Sequence, residues 1–264
     1  MLHYQTFGNG KPIYLLHGWA LNGRVWDEVI PALAQHGQVI AVDLPGHGKS
    51  GLPAGGGYSL DAVSDEIKQI LSGDAIIVGW SLGGLIALNL AQRYPALIEK
   101  LVLVAGSPQF IRSSDWPHAV DKQVMQGFAQ SLADDYRATI QRFLAIQTLG
   151  SEQARPAIKA LRGKMFIHGE PQLTALREGL NLLTNSNLRA QLPNIHCPAL
   201  IVLGEKDTLV PANSGPDTAR LLANARLAII KGAGHAPFLS HASEFIGIIS
   251  EFINESSRLT QRAN

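Results

Sequence analysis

The chain has 264 residues, 46% of them apolar and 16% charged, enough length to bury one sizeable core and too little polarity for a disordered protein. Lys and Arg total 22 against 21 Asp and Glu, so the net charge of +1 gives no global reason to expect a partner among nucleic acids or membrane surfaces. A single cysteine, Cys197, excludes an internal disulfide, and the amino terminus shows no basic stretch followed by an apolar run, so a cytoplasmic chain is expected.

Short apolar runs alternate with longer amphipathic stretches, the pattern of parallel strands joined by crossover helices. Strands are predicted at Ile13–Leu16, Gln38–Val42, Ala75–Gly79 and Lys100–Ala105, then at Ala199–Leu203 and Arg226–Ile230. Helices are predicted at Asn22–His36, Leu60–Leu71, Leu82–Arg93, Pro211–Leu222 and Phe238–Ile253. Between Ser107 and about Pro193 the alternation stops, and short helices punctuated by Gly, Pro and Asn take its place. The expected organisation is therefore an α/β core formed by residues 1–106 and 194–264, a mostly parallel central sheet flanked by helices. Residues 107–193 would form a helical lid inserted between its two halves. The polar tail from Glu255 to Asn264 is expected to fray.

The run Ala75-Ile-Ile-Val-Gly79-Trp80-Ser81-Leu82-Gly83-Gly84 sets G-x-S-x-G between an apolar strand and an apolar helix. A serine on so sharp a strand-to-helix turn needs glycines beside it, and the following helix lays its first amides next to a reacting carbonyl. An ordinary N-cap serine is the competing reading of Ser81. Neither H-x-x-x-H nor any clustered His/Asp set has metal-ligand spacing, so no metal is expected. A P-loop or dinucleotide fold fails because no glycine-rich loop opens the first crossover in the required pattern.

HGW at His17–Trp19, DLPGHGKS at Asp43–Ser50, GWSLGG at Gly79–Gly84, GEKDTLVP at Gly204–Pro211 and GHAPFLSHASEF at Gly234–Phe245 together resemble the α/β-hydrolase family over nearly the whole chain. Within it the sequence is similar to the methyl ester esterases that act on pimeloyl-acyl-carrier protein in biotin synthesis. That likeness rests on GWSLGG, on RFLAIQTLGSEQAR at Arg142–Arg155 and on the segment around His235. The family order of nucleophile, acid and histidine implies Ser81, Asp207 and His235. Glu205, two residues before Asp207, is the competing acid, and a buried structural histidine is the competing reading of His235. The resemblance also implies that His17 supports its loop, while His47 reads as a turn residue. Backbone amides of Trp19 and Leu82 are the expected oxyanion donors. Trp19, Leu82 and Phe143 are the first candidates for an apolar acyl pocket, ahead of Trp80, Phe110, Trp116 and Phe166.

The implied activity is a serine carboxylesterase without cofactor, releasing methanol from a methyl ester of pimeloyl-acyl-carrier protein and accepting short-chain esters besides. Cofactor-free perhydrolases and carbon–carbon bond hydrolases keep the same triad and stay open at this point. So does a non-catalytic ligand-binding receptor of the same fold. From Arg137 to Lys164 six basic residues stand against Glu152 alone, a local charge of +5 on a remainder of −4. Arg142, Arg155, Lys159 and Arg162 are accordingly expected to dock an acidic acyl-carrier protein, against the alternative of a solvated helix face. The chain is expected to be a monomer that handles small-molecule esters, binding neither nucleic acid nor membrane.

Overall fold

The computed structural model describes residues 1–146 and 154–255. Seven strands, β1 (Tyr4–Phe7), β2 (Pro12–Leu16), β3 (Gln38–Val42), β4 (Ala75–Trp80), β5 (Ile98–Val104), β6 (Ala199–Gly204) and β7 (Ala225–Ile230), form one sheet in the order β1-β3-β2-β4-β5-β6-β7. Only β1 runs antiparallel, along β3; all other neighbours are parallel, as buried apolar runs require. Every predicted strand is present to within two residues. β1 was not predicted, because Tyr-Gln-Thr-Phe alternates exposed and half-buried positions at the sheet edge and carries no apolar run.

The predicted helix Asn22–His36 is instead broken. Asn22 caps a 3-10 turn over Gly23–Trp26, accepting the Arg24 N–H at 3.0 Å, and a single helical turn, α1 (Ile30–Leu33), follows. Pro31 explains the break: without an N–H it fits the first turn of a new helix and not the interior of an old one. α2 (Leu60–Lys68) starts on Ser59, which accepts the Ala62 N–H. α3 (Leu82–Arg93) matches its prediction and is buried on nearly every side. Between β5 and β6 the chain forms α4 (Lys122–Asp134), α5 (Tyr136–Ile146), α6 (Ala154–Lys164) and α7 (Leu173–Asn185). α8 (Ser214–Leu221) crosses from β6 to β7. The last predicted helix divides into α9 (Pro237–Ser240) and α10 (Ala242–Asn254), because His241 leaves the helical region at φ −135° and ψ 47°. No described helix is long and apolar enough to cross a membrane.

The parallel strands all end on one side of the sheet, so the turns after β2, β4, β6 and β7 gather there. Those turns carry Trp19, Ser81, Asp207 and His235 in that order. A crevice outside the carboxyl ends of parallel strands is where open α/β sheets place their chemistry.

Candidate active site

Ser81 sits between β4 and α3 with φ 55° and ψ −115°, a backbone region that non-glycine residues occupy at a cost of about 1–3 kcal/mol. The turn is held from both sides. Ser81 donates its N–H to the Val104 carbonyl at 3.0 Å, and its own carbonyl accepts Gly84 and Leu85 at 2.9 and 3.2 Å. The flanking glycines have steric reasons to be there: a Cβ on Gly79 would collide with the Gly83 carbonyl, and one on Gly83 with the Leu16 carbonyl. The turn exposes little of the serine, which is 2% accessible.

On the turns after β6 and β7, Asp207 Oδ2 lies 2.8 Å from His235 Nδ1, and neither side chain is accessible to solvent. Asp207 Oδ1 accepts the backbone N–H groups of Leu209 at 2.8 Å and Val210 at 3.0 Å, so the carboxylate is oriented at both oxygens. An acceptor carboxylate on Nδ1 puts the imidazole proton there and leaves Nε2 as the basic nitrogen. Nε2 is buried and has no partner among the described residues. These two turns approach closely because residue 204 is glycine; a Cβ there would strike the carbonyls of Ala233 and Gly234.

Glu205, the competing acid, points elsewhere. Its side chain is 41% exposed and accepts the Gly232 N–H at 3.0 Å, an interaction that holds its carboxyl below the usual range, with Lys206 adding to the effect. It shapes the turn after β7 and makes no contact with His235.

Sequence reasoning missed how Trp80 joins the serine and histidine turns. Its indole N–H donates to the His235 carbonyl at 2.8 Å, and its ring packs against those of Trp26 and Phe238. The residue preceding the serine is thereby bonded to the backbone of the histidine. No local signal marks such a bond, since a tryptophan at this place reads equally well as plain core.

The loop after β2 is organised by His17. Its Nε2 accepts the Leu44 N–H at 2.9 Å, which obliges Nδ1 to carry the proton it donates to the Gly18 carbonyl at 2.7 Å. Burial, reinforced by nearby His47, pushes the His17 pKa down to about 3, so the ring stays neutral and this tautomer persists. Across a trans peptide the carbonyl and the next N–H point in opposite directions. Anchoring the Gly18 carbonyl on His17 therefore turns the Trp19 N–H to the other side of that peptide. Gly18 itself abuts the serine, for a Cβ on it would lie 3.4 Å from that of Ser81. The second expected donor, Leu82, is the first residue of α3, where the helix has no acceptor for its N–H.

Trp19, Leu82 and Phe143 meet beneath α7. The Trp19 and Phe143 rings are 4.8 Å apart edge to face, and Phe128 packs on Phe143 at 5.2 Å. Gly179 of α7 leaves room for this group, because its Cβ would fall 2.8 Å from the Trp19 ring and 3.4 Å from Leu82. The indole N–H of Trp19 donates to the Leu176 carbonyl of the same helix at 2.8 Å. Trp116 and Phe166 lie beneath the guanidinium groups of Arg189 and Arg137.

Of the residues expected to dock a carrier, Arg142, Lys159 and Arg162 are exposed and have no ion-pair partner among the described residues. The side chain of Arg155 lies outside the described residues. Two other cations of the basic stretch are neutralised from beyond it: Arg137 pairs with Glu170, and Lys164 lies 3.4 Å from Asp27 and 3.5 Å from Glu28. The local charge read from residues 137–164 is accordingly reduced in the folded chain.

Residues 11–242 match the family described as alpha/beta hydrolase fold. The chain belongs to the α/β-hydrolase family. Among curated proteins it is 44% identical over 249 residues to the pimeloyl-[acyl-carrier protein] methyl ester esterase of Aeromonas hydrophila, covering 94% of this chain and 98% of that one. It is 42% identical over 252 residues to the protein of the same name from Chromobacterium violaceum, covering 96% and 98%. Among solved structures it is similar to a bromoperoxidase from Bacillus anthracis, with a TM-score of 0.89 and 28% identity over 96% of this chain and 95% of that one. An esterase from Exiguobacterium antarcticum shares the fold at a TM-score of 0.87 and 24% identity, covering 96% of each chain.

Proposed function

We propose that this α/β hydrolase is a serine carboxylesterase that cleaves the methyl ester of pimeloyl-acyl-carrier protein, yielding methanol and the free carboxylate for biotin synthesis. The observation that carries the chemistry is the buried Asp207–His235 pair with its unpartnered Nε2, on turns adjoining a strained serine. The substrate follows from two curated relatives, each more than 40% identical over nearly its whole length.

Ser81 Oγ attacks the ester carbonyl while His235 Nε2 takes its proton, and Asp207 steadies the imidazolium that forms. The amides of Trp19 and Leu82 receive the oxyanion; one such donor is worth roughly 3 kcal/mol in the transition state. As the tetrahedral intermediate collapses, His235 returns the proton to the departing methoxide, and methanol leaves an acyl-serine. Water then repeats the sequence with His235 as base, releasing the acid and restoring Ser81. Every proton the reaction needs is carried by His235, and no cofactor enters.

Residues 107–193 act as a lid in this proposal, with Trp19, Leu82 and Phe143 lining the acyl pocket beneath it. Arg142, Lys159 and Arg162, together with Arg155, face the acidic carrier. The likeness to a bromoperoxidase favours one second reading, transfer of the acyl group to hydrogen peroxide in place of water. The test compares methyl pimeloyl-carrier protein, free methyl pimelate and a short p-nitrophenyl ester, with and without peroxide. Preferred turnover of the carrier-bound ester supports the proposal. Peracid formation from all three at equal rates overturns it. In Ser81→Ala all hydrolysis should fall by at least about 10⁴-fold with an unchanged thermal midpoint, and a serine-directed phosphonate should label wild type at Ser81 alone.

A further inference from the structure

Close to His17 and its loop, three side chains from distant parts of the chain converge on one point. His3 precedes β1, Asp43 follows β3, and His168 lies between α6 and α7. His3 Nδ1 and His168 Nδ1 both face Asp43 Oδ2, at 3.0 and 2.9 Å. The three donor atoms all lie within 4.8 Å of one another, and this is the one such group of three among the described residues. The two imidazole rings stand almost perpendicular, at 87° with centroids 5.0 Å apart, so their Nδ1 atoms converge on the carboxylate without the rings stacking.

We propose that His3, Asp43 and His168 form a binding site for one Zn²⁺ ion that fastens the helical insertion to the sheet. Two imidazole nitrogens and one carboxylate oxygen are a zinc donor set, with a water in the fourth position. Zinc bonds of about 2.0–2.1 Å in tetrahedral array set donor atoms roughly 3.3 Å apart. The carboxylate-to-imidazole spacings therefore need to open by a few tenths of an ångström, and the two imidazole nitrogens, which lie within 4.8 Å of each other, need to settle at that same separation. A ring that carries its one proton on Nδ1 would exchange it for one on Nε2, so coordination of such a ring requires a change of tautomer and no net loss of a proton.

The surroundings suit an ion. The Gly23 N–H donates to Asp43 Oδ1 at 2.8 Å and the Lys49 N–H to Oδ2 at 3.0 Å, the kind of outer contact that orients a ligating carboxylate. Burial alone would raise the Asp43 pKa, but the two N–H groups together with nearby His17 and His168 hold the carboxyl below its usual range. Asp43 and His168 are almost wholly enclosed, whereas the His3 side chain is 28% exposed and leaves an approach for the ion and its water. Spacing arguments could not find this site, because residues 3, 43 and 168 share no local pattern.

The test is titration of metal-free protein with Zn²⁺ alone, followed by calorimetry, native mass spectrometry and thermal unfolding, in wild type, His3→Gln, His168→Gln and the double variant. One ion per chain, a raised thermal midpoint, and affinity lowered at least about tenfold in each single variant are expected. His3→Gln removes a ligand at the margin of the fold, so its folded state, checked by circular dichroism, keeps the test valid should His168→Gln unfold. Equal uptake by wild type and the folded His3→Gln variant would assign the ion to other histidines and overturn the proposal. Absence of saturable binding below about 0.1 mM Zn²⁺ would reduce the cluster to a hydrogen-bonded tether and overturn it as well.

Discussion

The sheet and the helical insertion hold the candidate site by different means. In the sheet, position is enforced by backbone crowding. Glycines at 79, 83 and 204 let neighbouring turns touch where any side chain would collide, and the serine, aspartate and histidine ride on those turns. The insertion meets the core through apolar packing, with Phe143 against Trp19 and α7 over Leu82, and through scattered polar contacts. Trp19 donates to Leu176, Asn22 to the Lys164 and Met165 carbonyls, Gln172 to the Gly46 carbonyl, and His168 faces Asp43. Crowded backbone has no nearby alternative arrangement, whereas a few hydrogen bonds, each worth about 1 kcal/mol net, can be exchanged for water. Under the proposed function, the chemistry falls to the sheet turns and the choice of substrate to the insertion.

Changes in the sheet turns should have the largest effects. Asp207→Asn should lower kcat by about 10⁴-fold while the protein stays folded, since the amide no longer stabilises the imidazolium. Glu205→Gln should leave kcat within about twofold, because that half-exposed side chain bonds the Gly232 N–H and not the His235 imidazole. Steady-state kinetics on a small aryl ester separates the two; the reverse outcome would transfer the acid to Glu205.

Next comes the loop that the sheet positions and the insertion covers. His17→Ala removes the anchor of the Gly18 carbonyl and should cost about 10–100-fold in kcat with little change in KM, as expected for a mispositioned oxyanion donor. A loss confined to KM would mean that His17 serves substrate binding and not the amide.

Changes on the insertion should be smaller and selective. Reversing Arg142, Arg155 and Lys159 to Glu should reduce kcat/KM for a carrier-bound methyl ester by about tenfold at low salt and leave the aryl ester unchanged. Raised salt should weaken wild type in the same direction, since the Debye length is about 10 Å at 0.1 M. Equal losses on both substrates would indicate a damaged insertion.

A separate effect is expected on stability. Burial holds the His17 and His47 imidazoles neutral until about pH 3 and 4 in the folded chain, whereas unfolded imidazoles take up protons near 6.5. Between those values the unfolded state binds more protons, so stability should fall as pH is lowered from about 6.5 towards 4. Urea midpoints across that range should show the decline, and His47→Gln should flatten it. A midpoint that stays level from pH 7 to 4 would exclude buried neutral histidines.

Much of this molecule follows from its sequence alone. Buried parallel strands are apolar runs, and the G-x-S-x-G turn is a local steric requirement, so six strands, α3 and the place of Ser81 could be read directly, while the family resemblance implied Asp207 and His235. What escaped was of two kinds. The edge strand β1 buries too little to leave an apolar run, and Pro31 and His241 end helices that periodicity alone would continue. Contacts between distant segments form the other kind. The Trp80 bond to His235, the Leu44 N–H held by His17, the neutralisation of Arg137 by Glu170 and the meeting of His3, Asp43 and His168 were decided only by the tertiary structure. Periodicity and turn chemistry act over a few neighbouring residues, whereas a side-chain hydrogen bond depends on where folding brings two segments together, which no local pattern records.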